Sequence, residues 1–195
     1  MTTIEARREG ACTMTAIAEG DRGALMRLMD RHSRGLRGVA ARFLGNEEEA
    51  EEVVQDVFIR VWRKAHRYDP AQAAVSTWLY RIAVNLCIDR QRRRTFRQIV
   101  GLEEVVEDLA DPAPSAEVQV ADRARLAATR QAITALPGRQ RMALLLAVVA
   151  EFSTVEIAAT METSAGSVEQ LLVRARRSLR GTLAASEWER GDEST

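Results

Sequence analysis

The stretch Asn46-Glu47-Glu48-Glu49-Ala50-Glu51-Glu52-Val53-Val54-Gln55-Asp56-Val57-Phe58-Ile59-Arg60-Val61-Trp62 decides the fold class. Asn46 with Glu49 three residues on has the form of a capping box, and the acidic run from Glu47 to Glu52 suits the positive end of a helix dipole. Val53, Val54, Val57, Phe58, Val61 and Trp62 then recur at three- and four-residue steps, the period of a helix with one buried face. Glu52, Gln55, Asp56 and Arg60 form a polar flank beside Phe58, Ile59 and Trp62. A polar rim around large apolar residues suits a docking surface for a partner helix, and a solvated acidic face accounts for it equally well.

The same period extends outward on both sides. From Asp21 to Gly45, Leu25, Leu28, Met29, His32, Leu36, Val39, Ala40 and Phe43 paint one apolar stripe, with His32 expected to pack rather than to ligate, and Gly45 ends the helix. His66-Arg67-Tyr68-Asp69-Pro70 breaks the pattern. A third helix is expected from Ser76 or Thr77, carrying Trp78, Leu79, Ile82, Ala83 and Leu86 inward and Arg81 and Asn85 on the opposite face, and it ends in Asp89-Arg90-Gln91-Arg92-Arg93-Arg94. An aromatic, Asn and Arg on one surface can stack on and neutralise a single nucleic-acid strand, whereas the bland alternatives are a solvated face and a core Trp78.

Beyond residue 97 the composition changes. Residues 98–122 hold seven acidic residues, no Lys or Arg, and the breakers Pro112 and Pro114, which reads as a flexible acidic linker. Residues 123–185 return to helical patterning. Arg123 to Leu136 is punctuated by Pro137-Gly138, and Arg139 to Phe152 follows. Ser153-Thr154-Val155-Glu156 forms a second capping box, and after the break Glu162-Thr163-Ser164 a final helix starts near Ala165. Val168, Leu171, Leu172, Ala175 and Leu179 share one face of it. Arg174, Arg176, Arg177 and Arg180 follow toward its end. The last pair has the helix-turn-helix shape, which places a second helix in a DNA major groove, although ordinary corners in helical bundles share it. Residues 1–20 and 186–195 read as tails, with Met14 a possible second start. The fold class is therefore all-α, with two small helical domains (21–97 and 123–185) joined by the acidic linker.

Global figures set bounds on function. The 195 residues are 46% hydrophobic with a formal net charge of zero, yet the charge is segmented: +6 over 21–97, −7 over 98–122 and +5 over 123–185. Two basic blocks flanking an acidic spacer fit nucleic-acid contact by position. Two cysteines, Cys12 and Cys87, make no disulfide framework, fit a reducing cytoplasmic setting and read as structural thiols. No apolar run has the length of a membrane span. Neither a phosphate cradle, nor an HExxH, CxxC or G-x-S-x-G pattern occurs, so no catalytic residue, metal or cofactor is expected.

Together, Ala50 to Trp62, Tyr68-Asp69-Pro70, Thr77-Trp78-Leu79-Tyr80-Arg81-Ile82-Ala83-Val84-Asn85 and Asp89-Arg90-Gln91-Arg92-Arg93 resemble region 2 of sigma-70 family initiation factors of the extracytoplasmic-function (ECF) group. Leu136-Pro137-Gly138-Arg139-Gln140-Arg141, Glu156-Ile157-Ala158 and Val173 to Arg180 resemble region 4 of that group. The resemblance covers residues 21–97 and 123–182, in the same order. It implies a bacterial alternative sigma factor that binds core RNA polymerase and directs promoter recognition and melting. Glu52, Gln55 and Asp56, supported by Phe58 and Trp62, would dock on the β′ clamp helices. Trp78, Arg81 and Asn85 would meet the non-template strand of the −10 element, and Arg90, Arg92 and Arg93 the adjoining duplex backbone. The second domain would sit on the β flap and offer Ser164, Ser167, Glu169, Gln170, Arg174, Arg176 and Arg177 to the −35 groove, and an anti-sigma factor would hold the chain inactive. Two departures stand out. Glu162 occupies a turn position where the group often has Gly, and Glu169-Gln170-Leu171 stands where many members carry Lys or Arg. The runner-up reading is a stand-alone helix-turn-helix regulator that binds duplex DNA unaided.

Overall fold

The computed structural model describes residues 3–99 and 118–192, and its regular elements are all helices. The first block contains α1 (Thr3–Ala18), α2 (Arg22–Leu44), α3 (Glu47–Lys64), a 3₁₀ turn at Ala65–Arg67 and α4 (Val75–Ile99). The second contains α5 (Val118–Thr134), α6 (Gly138–Val148), α7 (Thr154–Thr160) and α8 (Ala165–Asp192). Most of the acidic stretch expected to form the linker lies outside the described residues.

The helix ends follow from side-chain chemistry. Asp21 Oδ1 accepts from the Ala24 N–H at 3.0 Å and Asn46 Oδ1 from the Glu49 N–H at 2.9 Å, each satisfying a donor that the first turn leaves open. Gly45 sits at φ 72, so α2 closes through a left-handed residue and α3 begins two positions later, alongside it. The second capping box is complete: Ser153 Oγ accepts from the Glu156 N–H at 3.3 Å, and Glu156 Oε2 accepts from the Ser153 N–H at 2.9 Å.

Several expected boundaries move. Residues 1–20, expected as a tail, contain α1, whose Met14 and Ile17 are 1% and 2% exposed within the core. Amphipathic burial against α2, α3, α4 and the 3₁₀ turn overrides the modest local signal. α4 starts at Val75, a residue ahead of the expected start, and α5 starts at Val118, inside the stretch expected to be linker. α6 stops at Val148 instead of reaching Phe152, because Glu151 adopts φ 56 and turns the chain. α8 continues to Asp192 through residues expected as a tail.

The two modules also pack on each other and do not hang on a linker alone. One continuous core runs from Leu36, Val39, Phe43, Val57 and Leu79 in the first block to Met142, Leu146, Ile157, Val168 and Leu172 in the second. α2 packs on α6, and α4 on α7. Within α4, Tyr80 turns its hydroxyl directly over Gly35, where any side chain would collide, and its ring meets Phe152 at 4.8 Å and 56°. Arg141 of α6, only 4% exposed, lays its guanidinium over the Phe43 ring of α2 at 4.6 Å and donates to the Thr134 carbonyl at 2.9 Å. Such a cation–π contact contributes about 0.5–2 kcal/mol. Burial lowers the pKa of Arg141 from its usual value.

Candidate polymerase and promoter interfaces

On α3, Glu52 and Gln55 are exposed and Asp56 half-exposed, while Phe58 is buried beneath them. Trp62, expected to face inward, is 38% exposed and joins Ile59 as apolar surface beside the acidic flank. Polar groups around large apolar side chains therefore do share one accessible face, as a docking surface requires. Across from it comes Arg90, expected on a DNA backbone. Its Nη1 donates to Glu52 Oε2 at 2.6 Å and its Nη2 to Asp56 Oδ2 at 3.1 Å. Burial works against the Arg90 charge, but the hydrogen bonds it donates to Glu52 and Asp56, and their charges, outweigh it and raise the pKa.

The loop entering α4 is built by its own side chains. Asp69 Oδ1 accepts from the Ala71 N–H at 2.9 Å, Asp69 Oδ2 from Gln72 Nε2 at 3.0 Å, and the Tyr68 hydroxyl donates to the Ala73 carbonyl at 2.9 Å. Trp78 stacks edge-on against Tyr68, with ring centroids 5.7 Å apart, and is half-buried. Asn85, Arg92 and Arg93 stand exposed on α4. Arg81, expected beside Asn85 on an open face, is turned to the second block. Its Nη2 donates to the Ala159 carbonyl of α7 at 2.8 Å, and its Nη1 lies 3.8 Å from Glu162 Oε1.

The second block forms the helix-turn-helix. Glu162 adopts φ 51, so a glutamate holds the left-handed position where glycine is the easy choice, and it lies in the turn between α7 and α8. Ser164 Oγ then accepts from the Ser167 N–H at 3.2 Å and stands 2.9 Å from Ser167 Oγ. The two serines thus set the start of α8. Glu169, Gln170, Arg174, Arg176 and Arg177 are all exposed. Gly166, Ser167, Gln170 and Arg174 line a shallow groove that Arg139, at the start of α6, completes from outside the helix. Arg139 was legible only as part of the Leu136–Arg141 motif, since its partners in the groove lie about thirty residues away.

Residues 28–97 match the sigma-70 region 2 family and residues 126–179 the sigma-70 region 4 family. The ECF RNA polymerase sigma factor SigE of Mycolicibacterium smegmatis is 33% identical over 185 residues, spanning 93% of this chain and 71% of that protein. The chain belongs to the ECF sigma factors of the sigma-70 family. The RNA polymerase sigma factor NccH of Alcaligenes xylosoxydans xylosoxydans is 32% identical over 172 residues, 87% of this chain and 92% of that one. Among solved structures, CnrH in complex with the cytosolic domain of CnrY aligns at a TM-score of 0.67 and 26% identity, covering 90% of this sigma factor and 97% of CnrH. RpoE of Bartonella quintana, solved with the anti-sigma factor NepR, shares the fold at a TM-score of 0.65 and 22% identity, over 82% and 96% of the two chains. In this sigma factor α2, α3 and α4 lie within or across the region 2 match, and α6 and α7 lie within that of region 4. No helix among the described residues is long and apolar enough to cross a membrane.

Proposed function

We propose that this sigma factor is a removable reading head for core RNA polymerase, acting through binding alone. Glu52, Gln55 and Asp56, with Trp62 beside them, dock on the β′ clamp helices. Asn85 and Arg81 receive the non-template strand of the −10 element, with Trp78 buttressing the entry loop. Arg92 and Arg93 hold the adjoining duplex backbone. Region 4 sits on the β flap and offers Glu169, Gln170 and Arg174 to the −35 groove, where Glu accepts from cytosine N4 and Gln pairs with adenine. Arg176 and Arg177, further along α8, suit phosphates. Unstacking a base costs a few kcal/mol, and binding energy for the captured strand supplies it.

The observation that carries this reading is the coexistence, in one chain, of an accessible acidic and apolar face on α3 with an accessible recognition helix α8. A stand-alone regulator needs only the second. Closure of the two blocks adds a step: while Arg81 is held by Ala159 and Glu162, it is not available to a DNA strand, so polymerase binding draws the blocks apart. CnrH and RpoE were each solved with a protein partner, and we extend that arrangement to this chain: an anti-sigma factor in the cytoplasm holds it away from polymerase. The test is run-off transcription with purified core polymerase on promoter fragments. Wild-type chain should give defined starts, and Asp56→Arg combined with Gln55→Ala should give none while keeping its helicity. Specific duplex binding by the free chain, with no change in start choice when polymerase is present, would favour the regulator.

A further inference from the structure

Within the basic run that ends α4, the arginines divide. Arg92 and Arg93 are exposed and make no ion pair among the described residues. Arg90 and Arg94, one turn apart on the helix, reach back instead: Arg94 toward the Leu44 carbonyl at 3.5 Å, and Arg90 across to α3. The Arg90 side chain is 21% exposed and bridges Glu52 Oε2, Asp56 Oδ2 and the Glu49 carbonyl, the last at 3.3 Å. A guanidinium already committed to two carboxylates is a poor phosphate ligand, because contact with DNA would first have to break both charge-assisted bonds.

Glu52 and Asp56 are four residues apart on one helix face, where like charges repel and splay. Arg90 sits between them and fixes one oxygen of each. The other oxygen of each carboxylate makes no hydrogen bond among the described residues, and the side chains remain 65% and 44% exposed. The pair is therefore presented outward with its rotamers already selected, which reduces the ordering that docking must impose. We infer that Arg90 is a positioning residue of the polymerase-docking surface, acting through Glu52 and Asp56, and not a promoter contact. This rests on the assignment of that α3 face to polymerase docking.

The test uses full-length chain and core polymerase, with Arg90→Ala, Arg90→Lys and Asp56→Asn, and Asp56→Arg as the control for the docking surface itself. Core affinity is measured by fluorescence anisotropy, and open-complex formation is measured with core polymerase and each variant at saturating holoenzyme. Arg90→Ala should weaken core binding about tenfold, equivalent to about 1.4 kcal/mol, and Arg90→Lys should recover part of it. At saturation, open-complex yield and its salt dependence should match wild type, whereas loss of a phosphate contact lowers the salt slope by about one. In the double variant with Asp56→Asn, the Arg90→Ala effect should shrink, because both act through one pair. Unchanged core affinity, full additivity with Asp56→Asn, or a reduced salt slope would each overturn the inference. If Asp56→Arg also binds core normally, the docking assignment itself has failed; if only Asp56→Arg loses binding, the role given to Arg90 alone has failed. Should Arg90→Ala fold poorly by circular dichroism, the comparison passes to Arg90→Lys against Arg90→Gln, with the same outcomes.

Discussion

The guanidinium of Arg81 in region 2 stands 3.8 Å from the carboxylate of Glu162 in the region 4 turn, and its Nη2 donates to the carbonyl of Ala159 in α7, three residues before Glu162, at 2.8 Å. A residue proposed to meet the promoter strand is thus paired with the turn of the domain proposed to read the −35 element. Glu162 holds a left-handed conformation that costs a non-glycine residue about 1–2 kcal/mol, while an ion pair this exposed returns about 0–1 kcal/mol. The turn accepts local strain and places a negative charge against Arg81.

Replacement of Glu162 by glycine separates those two effects. Glu162→Gly should keep or slightly raise the thermal midpoint, because the backbone strain disappears, and should increase binding of single-stranded −10 oligonucleotide by the free chain about twofold, the equivalent of roughly 0.4 kcal/mol. Glu162→Ala retains the strain and loses the pair, so its midpoint should fall below that of Glu162→Gly. Thermal unfolding and oligonucleotide anisotropy read both.

α1 is a structural part of the first helical block, although it precedes the region 2 match. Met14→Ala opens a cavity where the side chain is 1% exposed, and should lower unfolding free energy by about 2–4 kcal/mol in urea titrations. Removing residues 1–13 should destabilise at least as much, since the Glu9–Arg31 ion pair at 2.8 Å goes with them.

The cysteines should differ sharply in reactivity. Burial pushes the Cys87 thiol up to about 12, with Arg90 opposing and Glu49 adding to the shift, whereas Cys12 is exposed on α1. Thiolate is the reactive form, so native protein at pH 8 should take up one equivalent of Ellman's reagent, lost in Cys12→Ser, and a second only after denaturation.

His32 gives a pH dependence. Burial, then the Arg31 charge, lower its pKa from 6.5. The unfolded chain therefore binds a proton more readily than the folded one. The stability associated with His32 is complete above about pH 6.5 and declines as pH falls through that value toward the lowered folded one. Urea midpoints compared between wild type and His32→Gln should show the wild-type advantage shrinking from pH 7.5 to pH 5.5.

Much of this molecule was readable from local pattern. Asp21, Gly45, Asn46 and Ser153 mark helix ends by chemistry that acts within four residues, and the α3 stripe from Val53 to Val61 announces its own buried face. What escaped is non-local. Met14 and Ile17 signal too little periodicity to specify a helix before α2 and α3 supply a surface for it. Arg90 and Arg81 look alike as basic residues on one helix, and only the approach of α3 and α7 separates a carboxylate clamp from an interdomain bond. Arg141 sits in a recognisable motif, yet nothing near it in sequence indicates that Phe43 receives it.

The most direct test of closure and release is the distance between the two blocks before and after polymerase binding. Donor and acceptor dyes at Asp30→Cys on α2 and Arg180→Cys on α8, in a Cys12→Ser background, report it by energy transfer. Transfer should be high in the free chain and fall when core polymerase is added, with Glu162→Gly starting lower. Equal transfer in the free chain and in transcriptionally active holoenzyme would contradict the account.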